Sequence, residues 1–228
     1  MKHLLLALLC ALPLPASLIT VSFDATVTST QLTSGGNIID QTPYGPLPSV
    51  GDIIHGVIVY DSNFNTDLVS ASTYGFYSGA PVSASVIVGP ISSSFSAQAT
   101  SPTNSNIAIL NDHNTGVVQD GFDIVAGKST GGKVLGGSQD LITNWRTSNL
   151  SALNSDAMQV LPVGLTFDLL RQVTYHEVGG NKNYQVLGSL NNYSVTQSST
   201  PEPATTGLAA IAIVAILGKA RQLRRSRR

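Results

Sequence analysis

The sequence predicts an all-β body, a two-sheet antiparallel β-sandwich of jelly-roll type, with an N-terminal signal peptide before it and a short C-terminal hydrophobic helix after it. Three observations carry this prediction. Apolar residues along the body recur with a period of two, as half-buried antiparallel strands require. Ser, Thr, Asn and Gly fill the gaps and punctuate them at short, regular intervals. No strand–helix–strand alternation breaks the pattern, which excludes a parallel α/β sheet.

The first element is the signal. Met1-Lys2-His3 forms a small positive n-region, Leu4 to Leu12 an apolar h-region, and Pro13 and Pro15 end it. Ala16 is the best small residue for cleavage by signal peptidase, giving a signal of residues 1–16 with a boundary that extends as late as Ser22. Cys10, the one cysteine, lies inside the h-region, so the mature chain forms no disulfide.

Residues 17–200 form one domain. Val21 to Val27 places Val21, Phe23, Ala25 and Val27 on one side. Asp52 to Tyr60 reads as a more apolar, mid-sheet strand with Gly56 marking a bulge or a close approach. Further strands are expected at Thr73–Tyr77, Val82–Val88, Ser93–Ala99, Asn106–Leu110, Gly121–Val125, Leu165–Leu170, Val173–Val178 and Tyr184–Val195. Gly-Gly-Asn-Lys-Asn at 179–183 predicts a tight hairpin between the last two. Ser151 to Val160 reads as the body's one helix, ended by Pro162. Tyr74 and Tyr77 are expected at a sheet edge with Phe76 turned to the core, and Trp145 is expected in the core.

Charge separates the body from its ends. Six of the twelve basic residues lie beyond residue 218 and Lys2 lies in the signal, so the body sets five cations against twelve carboxylates. A body about seven charges negative, with scattered cations, excludes nucleic acid as a partner, because phosphate binding needs clustered Lys and Arg.

Candidate chemistry is sparse. Asp112, Asn114, Asp120 and Asp123 supply hard oxygen ligands at spacings reminiscent of a calcium loop, although Val117 and Asp123 replace the Gly and Glu of an EF-hand. The competing reading is a set of Asx turns in a β-connection. His55, His113 and His176 would form a metal or catalytic cluster only if the fold gathered them. The sequence has no Gly-x-Ser-x-Gly elbow, no His-Glu-x-x-His and no phosphate loop.

The final segment has three parts in order. Pro201-Glu202-Pro203 stops any preceding strand, the apolar run 204–218 follows as a helix, and Lys219, Arg221, Arg224, Arg225, Arg227 and Arg228 form a basic stop. The fourteen residues from Ala204 to Leu217 span roughly 21 Å as a helix, against a hydrocarbon core of about 30 Å. That length suits a transient membrane stop; a plain single-pass anchor is the alternative.

These residues resemble the PEP-CTERM sorting signal of bacterial surface and exopolysaccharide-associated proteins, the substrates of the membrane protease-transpeptidase exosortase. The chain departs from the usual form at Thr200, where a small apolar residue often stands. The resemblance implies export, transient anchoring in the inner membrane, cleavage near Pro201 to Pro203 and delivery to the cell surface or extracellular matrix. The body resembles the β-sandwich of such proteins through Phe23 to Thr28, Gly51 to Asp61 and Gly188-Ser189-Leu190.

The expected function is that of an exported, non-catalytic surface or matrix protein with no cofactor. The alternatives are a carbohydrate-binding module acting on exopolysaccharide, calcium-dependent through the 112–123 segment, and a secreted hydrolase with a site assembled from distant loops.

Overall fold

A computed structural model describes residues 16–64, 67–69, 71–78, 82–95, 105–114, 116–130 and 132–200. Leu18–Gln197 forms one compact unit. Nearly all of the signal and the whole of the 201–228 tail lie outside the described residues.

The described chain is all-β and antiparallel. Its strands are β1 (Ala16–Ser34), β2 (Asn37–Ile38), β3 (Ile53–Asp61), β4 (Tyr74–Ser78), β5 (Val82–Val88), β6 (Ile91–Phe95), β7 (Asn106–Asn114), β8 (Val118–Thr130), β9 (Ser138–Thr147), β10 (Leu170–Gly179) and β11 (Lys182–Thr200). Hydrogen bonding runs unbroken through β4-β7-β8-β9-β10-β11-β1-β3-β5-β6, with β2 attached to β1. The expected division into two separate sheets is therefore replaced by one sheet, curled into a half-barrel.

The join between β11 and β1 makes the sheet continuous. Thr28 Oγ1 donates to Leu187 O, Thr33 Oγ1 to Asn183 O and Gly35 N to Asn181 O, so the two long strands run in opposite senses. Curling brings inner faces together. Phe23 of β1 meets Trp145 of β9 edge-on with ring centroids 5.6 Å apart, and Tyr60 of β3 meets Phe122 of β8 at 5.6 Å. The alternation read from sequence supplies these contacts: Val21, Phe23, Ala25 and Val27 all face the core. Trp145 is fully buried, as expected.

β3 lies between β1 and β5, inside the sheet. Gly56 pairs in register with Phe23, and no bulge interrupts the ladder. The close approach is made by the Phe23 ring. The 179–183 hairpin is tighter than its glycines and asparagines suggested: Gly179 pairs with Lys182, and Gly180 alone has positive φ (62°), as a two-residue II′ connection requires.

Three expectations are corrected and one strand is added. Ser151–Val160 is a series of turns and bends with no helix. Its backbone is held by tertiary bonds instead: Leu153 N donates to Asp120, Tyr77 Oη donates to Asp156 O, and Tyr60 Oη donates to Gln159 O. Leu165–Leu170 is extended only at Leu170, because Leu165 N donates to Tyr193 Oη and Gly164 turns the chain with φ 75°. β9, central between β8 and β10, was not anticipated, because its inward positions include Gln139, Thr143 and Thr147 and so hide the apolar alternation. Finally, Tyr74 and Phe76 share the outer face while Tyr77 is buried, as the two-residue strand repeat dictates.

Candidate functional site

The acidic segment proposed for calcium is the far end of a β-hairpin. Asp112 and Asn114 lie on β7, and Asp120 and Asp123 on β8, with a bulge between Leu110 and His113 that puts Asp112 at φ 54°. Asp120 is fully buried; its oxygens accept Asp112 N at 2.8 Å and Leu153 N at 2.9 Å. Asn114 Oδ1 accepts Gly116 N at 2.9 Å, an Asx turn.

Asp123 points the other way. Strand alternation puts it on the outer face, where Arg146 Nη2 of β9 lies 2.6 Å from its carboxylate. Burial raises its carboxyl above the ordinary range, and the Arg146 bond opposes that rise. The four oxygen-bearing residues therefore do not converge. Among the described residues, no three His, Cys, Asp or Glu side chains gather as a metal-holding group.

The histidines are also dispersed. His113 is on β7, His176 on β10 and His55 on β3, so the first two stand three strands apart and, by the register, about eight residues apart along them, and the third lies three strands further on. Each keeps local company. His113 packs beside the Tyr74 ring at 5.2 Å, His176 Nδ1 lies 3.1 Å from Asp140, and His55 Nδ1 lies 2.7 Å from Asp24. Both His–Asp pairs stand directly opposite in the strand register.

Sequence reading missed the most elaborate polar centre. Glu177 of β10 is fully buried, and its carboxylate accepts the backbone N–H groups of Val134, Leu135 and Gly136 and the hydroxyl of Tyr175. Gln139 Oε1 accepts from Ser93 of β6 and lies 3.0 Å from the Tyr175 hydroxyl oxygen, extending the network across the interior. Burial and the neighbouring carboxylate push the Tyr175 hydroxyl far up, so it remains a donor. The signal was the run Gly131-Gly132-Lys133-Val134-Leu135-Gly136-Gly137 together with the body's one Glu. At Gly132 a Cβ would stand 2.2 Å from Glu177 Cδ, and at Gly137 it would stand 1.8 Å from Val178 O. With every oxygen engaged by protein donors, this centre fastens a loop.

Open polar chemistry lies on the outer surface. Asp24 and His55 sit in a shallow depression of about 310 Å³ with Ser22, Ser85, Ile87 and Asn192. A second, of about 250 Å³, shares Asn192 and adds Arg171, Asn191 and Thr166. A third, of about 340 Å³, shares residues 164–166 with the second and includes Ser148 and Asp168. Asp168 accepts Ser148 N at 2.8 Å and Ser148 Oγ at 2.5 Å, which hold its carboxyl down at about 2.

The fold and these features define a class: an antiparallel β-sheet protein with an acidic body and a polar outer face. No family model matches the chain, and no curated protein and no solved structure matches it either. Among the described residues, no helix is long and apolar enough to cross a membrane.

Proposed function

We propose that this chain is an exported, non-catalytic surface or extracellular-matrix protein, sorted and cleaved at Pro201–Pro203 by an exosortase. The single observation that carries the reading is the order of parts in 201–228: Pro-Glu-Pro, an apolar run too short for a comfortable span, and six basic residues. The signal at 1–16, cut at Ala16 by signal peptidase, supplies the matching export step. Lys219, Arg221, Arg224, Arg225, Arg227 and Arg228 hold the tail at the inner membrane until the cut.

The body is the cargo. Its curled sheet acts as a two-layer, jelly-roll-like sandwich, a reading supported by the Phe23–Trp145 and Tyr60–Phe122 contacts between facing halves. The engagement of Asp120, Asp123 and Glu177 in structural bonds favours a scaffold over a catalyst.

The test is expression with an internal epitope in hosts with and without exosortase. The surface form is expected to be shorter only where the enzyme is present. An identical product that keeps the basic tail in both hosts overturns the reading, and Glu202→Ala is expected to leave the uncut precursor at the membrane.

A further inference from the structure

We infer that the three adjoining surface depressions form one groove for a neutral polysaccharide chain. Shared lining residues make them continuous: Asn192 joins the first to the second, and residues 164–166 join the second to the third. A run of shallow, connected subsites suits an extended polymer better than a compact small molecule, which binds in a deeper enclosed cavity.

The donor set names the chemistry. Ser22, Ser85 and Ser194 supply hydroxyls and Asn192 supplies an amide, beside Asn191 whose amide is paired with Thr26 Oγ1; hydroxyl and amide each both donate and accept, as sugar hydroxyls do. His55 is 62% exposed, and with Nδ1 committed to Asp24 it presents Nε2 to the open side. Ile87, 53% exposed, offers an apolar surface for the C–H face of a sugar ring.

Charge selects against the other polymers. Arg171 is the groove's one cation, set against Asp24 and the ionised Asp168, on a body with about seven excess negative charges. An anionic chain would be repelled, and a polycation would find only two carboxylates, one already holding Ser148. A neutral hydroxyl-rich chain meets neither penalty.

The backbone supports the same place. Along β11, Leu190 is buried, Asn191 and Asn192 are both exposed, and Tyr193 turns inward to Trp145 with centroids 6.0 Å apart. Two successive outward residues break the alternation of the strand and aim an extra amide into the groove where the first two depressions meet.

The inference leans on the extracellular reading only for the source of the polymer, so its test avoids sorting altogether. The full chain, purified in a zwitterionic detergent without a sugar headgroup, is run through native gels containing dextran, galactomannan, mixed-linkage β-glucan or alginate. Retardation by at least one neutral polymer and not by alginate is expected. His55→Ala/Asn192→Ala, two exposed positions whose variant should keep the parent's thermal melt, is expected to weaken it about tenfold, the loss of one or two hydrogen bonds. Asn192→Ala alone serves if the double variant melts early.

Free migration in every neutral gel, retardation by alginate alone, or equal retardation of parent and Asn192→Ala would overturn the groove. Tail cleavage without polymer retardation sinks the groove alone, and retardation with an uncut tail sinks the sorting reading alone.

Discussion

The ring of Phe23 lies across Gly56 so closely that a Cβ on Gly56 would stand 2.1 Å from Phe23 Cζ. The glycine makes room for the ring on the inner face, where Phe23 also meets Trp145. Gly56→Ala is therefore expected to displace the ring and destabilise the body by about 1–3 kcal/mol, the usual range for overpacking. Chemical denaturation checks it, and the paired change Phe23→Leu/Gly56→Ala should recover part of the loss.

Glu177 ties residues 134–136 to β10. Glu177→Ala removes the acceptor for three backbone donors and the Tyr175 hydroxyl, and is expected to cost about 3 kcal/mol or more. Hydrogen exchange gives the sharper readout: amides of Val134, Leu135 and Gly136 should lose protection first. Unchanged protection there would show that the loop is held by other means.

Asp168 and Ser148 give a pH signature. The folded carboxyl sits at about 2, below its unfolded value of 3.8, so the tie stabilises above the unfolded value and is lost as pH falls towards 2. The stability difference between the parent and Asp168→Asn is expected to be level near neutrality and to vanish between about pH 4 and 2. A difference that persists at pH 2 would place the effect elsewhere.

Arg146 neutralises a half-hidden acid. With Arg146→Ala, Asp123 is left without its cation on the outer face, at an expected cost of about 2–4 kcal/mol at neutral pH. Because burial already raises that carboxyl, protonation should relieve the penalty on mild acidification, and Asp123→Asn in the same chain should relieve it at all pH values. Thermal melts of the two variants across pH measure both effects.

Calcium offers a direct check on the 112–123 hairpin. Asp120 and Asp123 lie on opposite faces and already accept protein donors, so millimolar calcium or a chelator is expected to leave the melting temperature unchanged. A calcium-dependent rise that disappears in Asp120→Asn would reverse this reading.

Much of the fold was legible along the chain, because side-chain alternation is a local consequence of the extended backbone. The inward face of Val21 to Val27, the strand expected at Asp52 to Tyr60 and a hairpin within 179–183 were readable from neighbouring residues alone, although the turn itself is only Gly180-Asn181. β9 was hidden because Gln139 and Thr143 occupy core positions, and Gln139 finds partners in Ser93 and Tyr175, which are far from it in sequence. The 151–160 segment misled for a related reason: its local pattern suggests a helix, but Asp120, Tyr60 and Tyr77 claim its backbone polar groups.

The sequence by itself determined the antiparallel all-β character, the acidic cysteine-free body and the ordered tail motif, since each depends on composition or on spacing within a few residues. Tertiary structure alone decided that β11 closes onto β1 to make one curled sheet, that Asp120 takes Leu153 N as a donor while Asp123 meets Arg146, and that Asp24, His55 and Asn192 meet in one depression. Those outcomes depend on which strands become neighbours. Alternation specifies the face a residue takes, but only long-range pairing specifies what stands beside it.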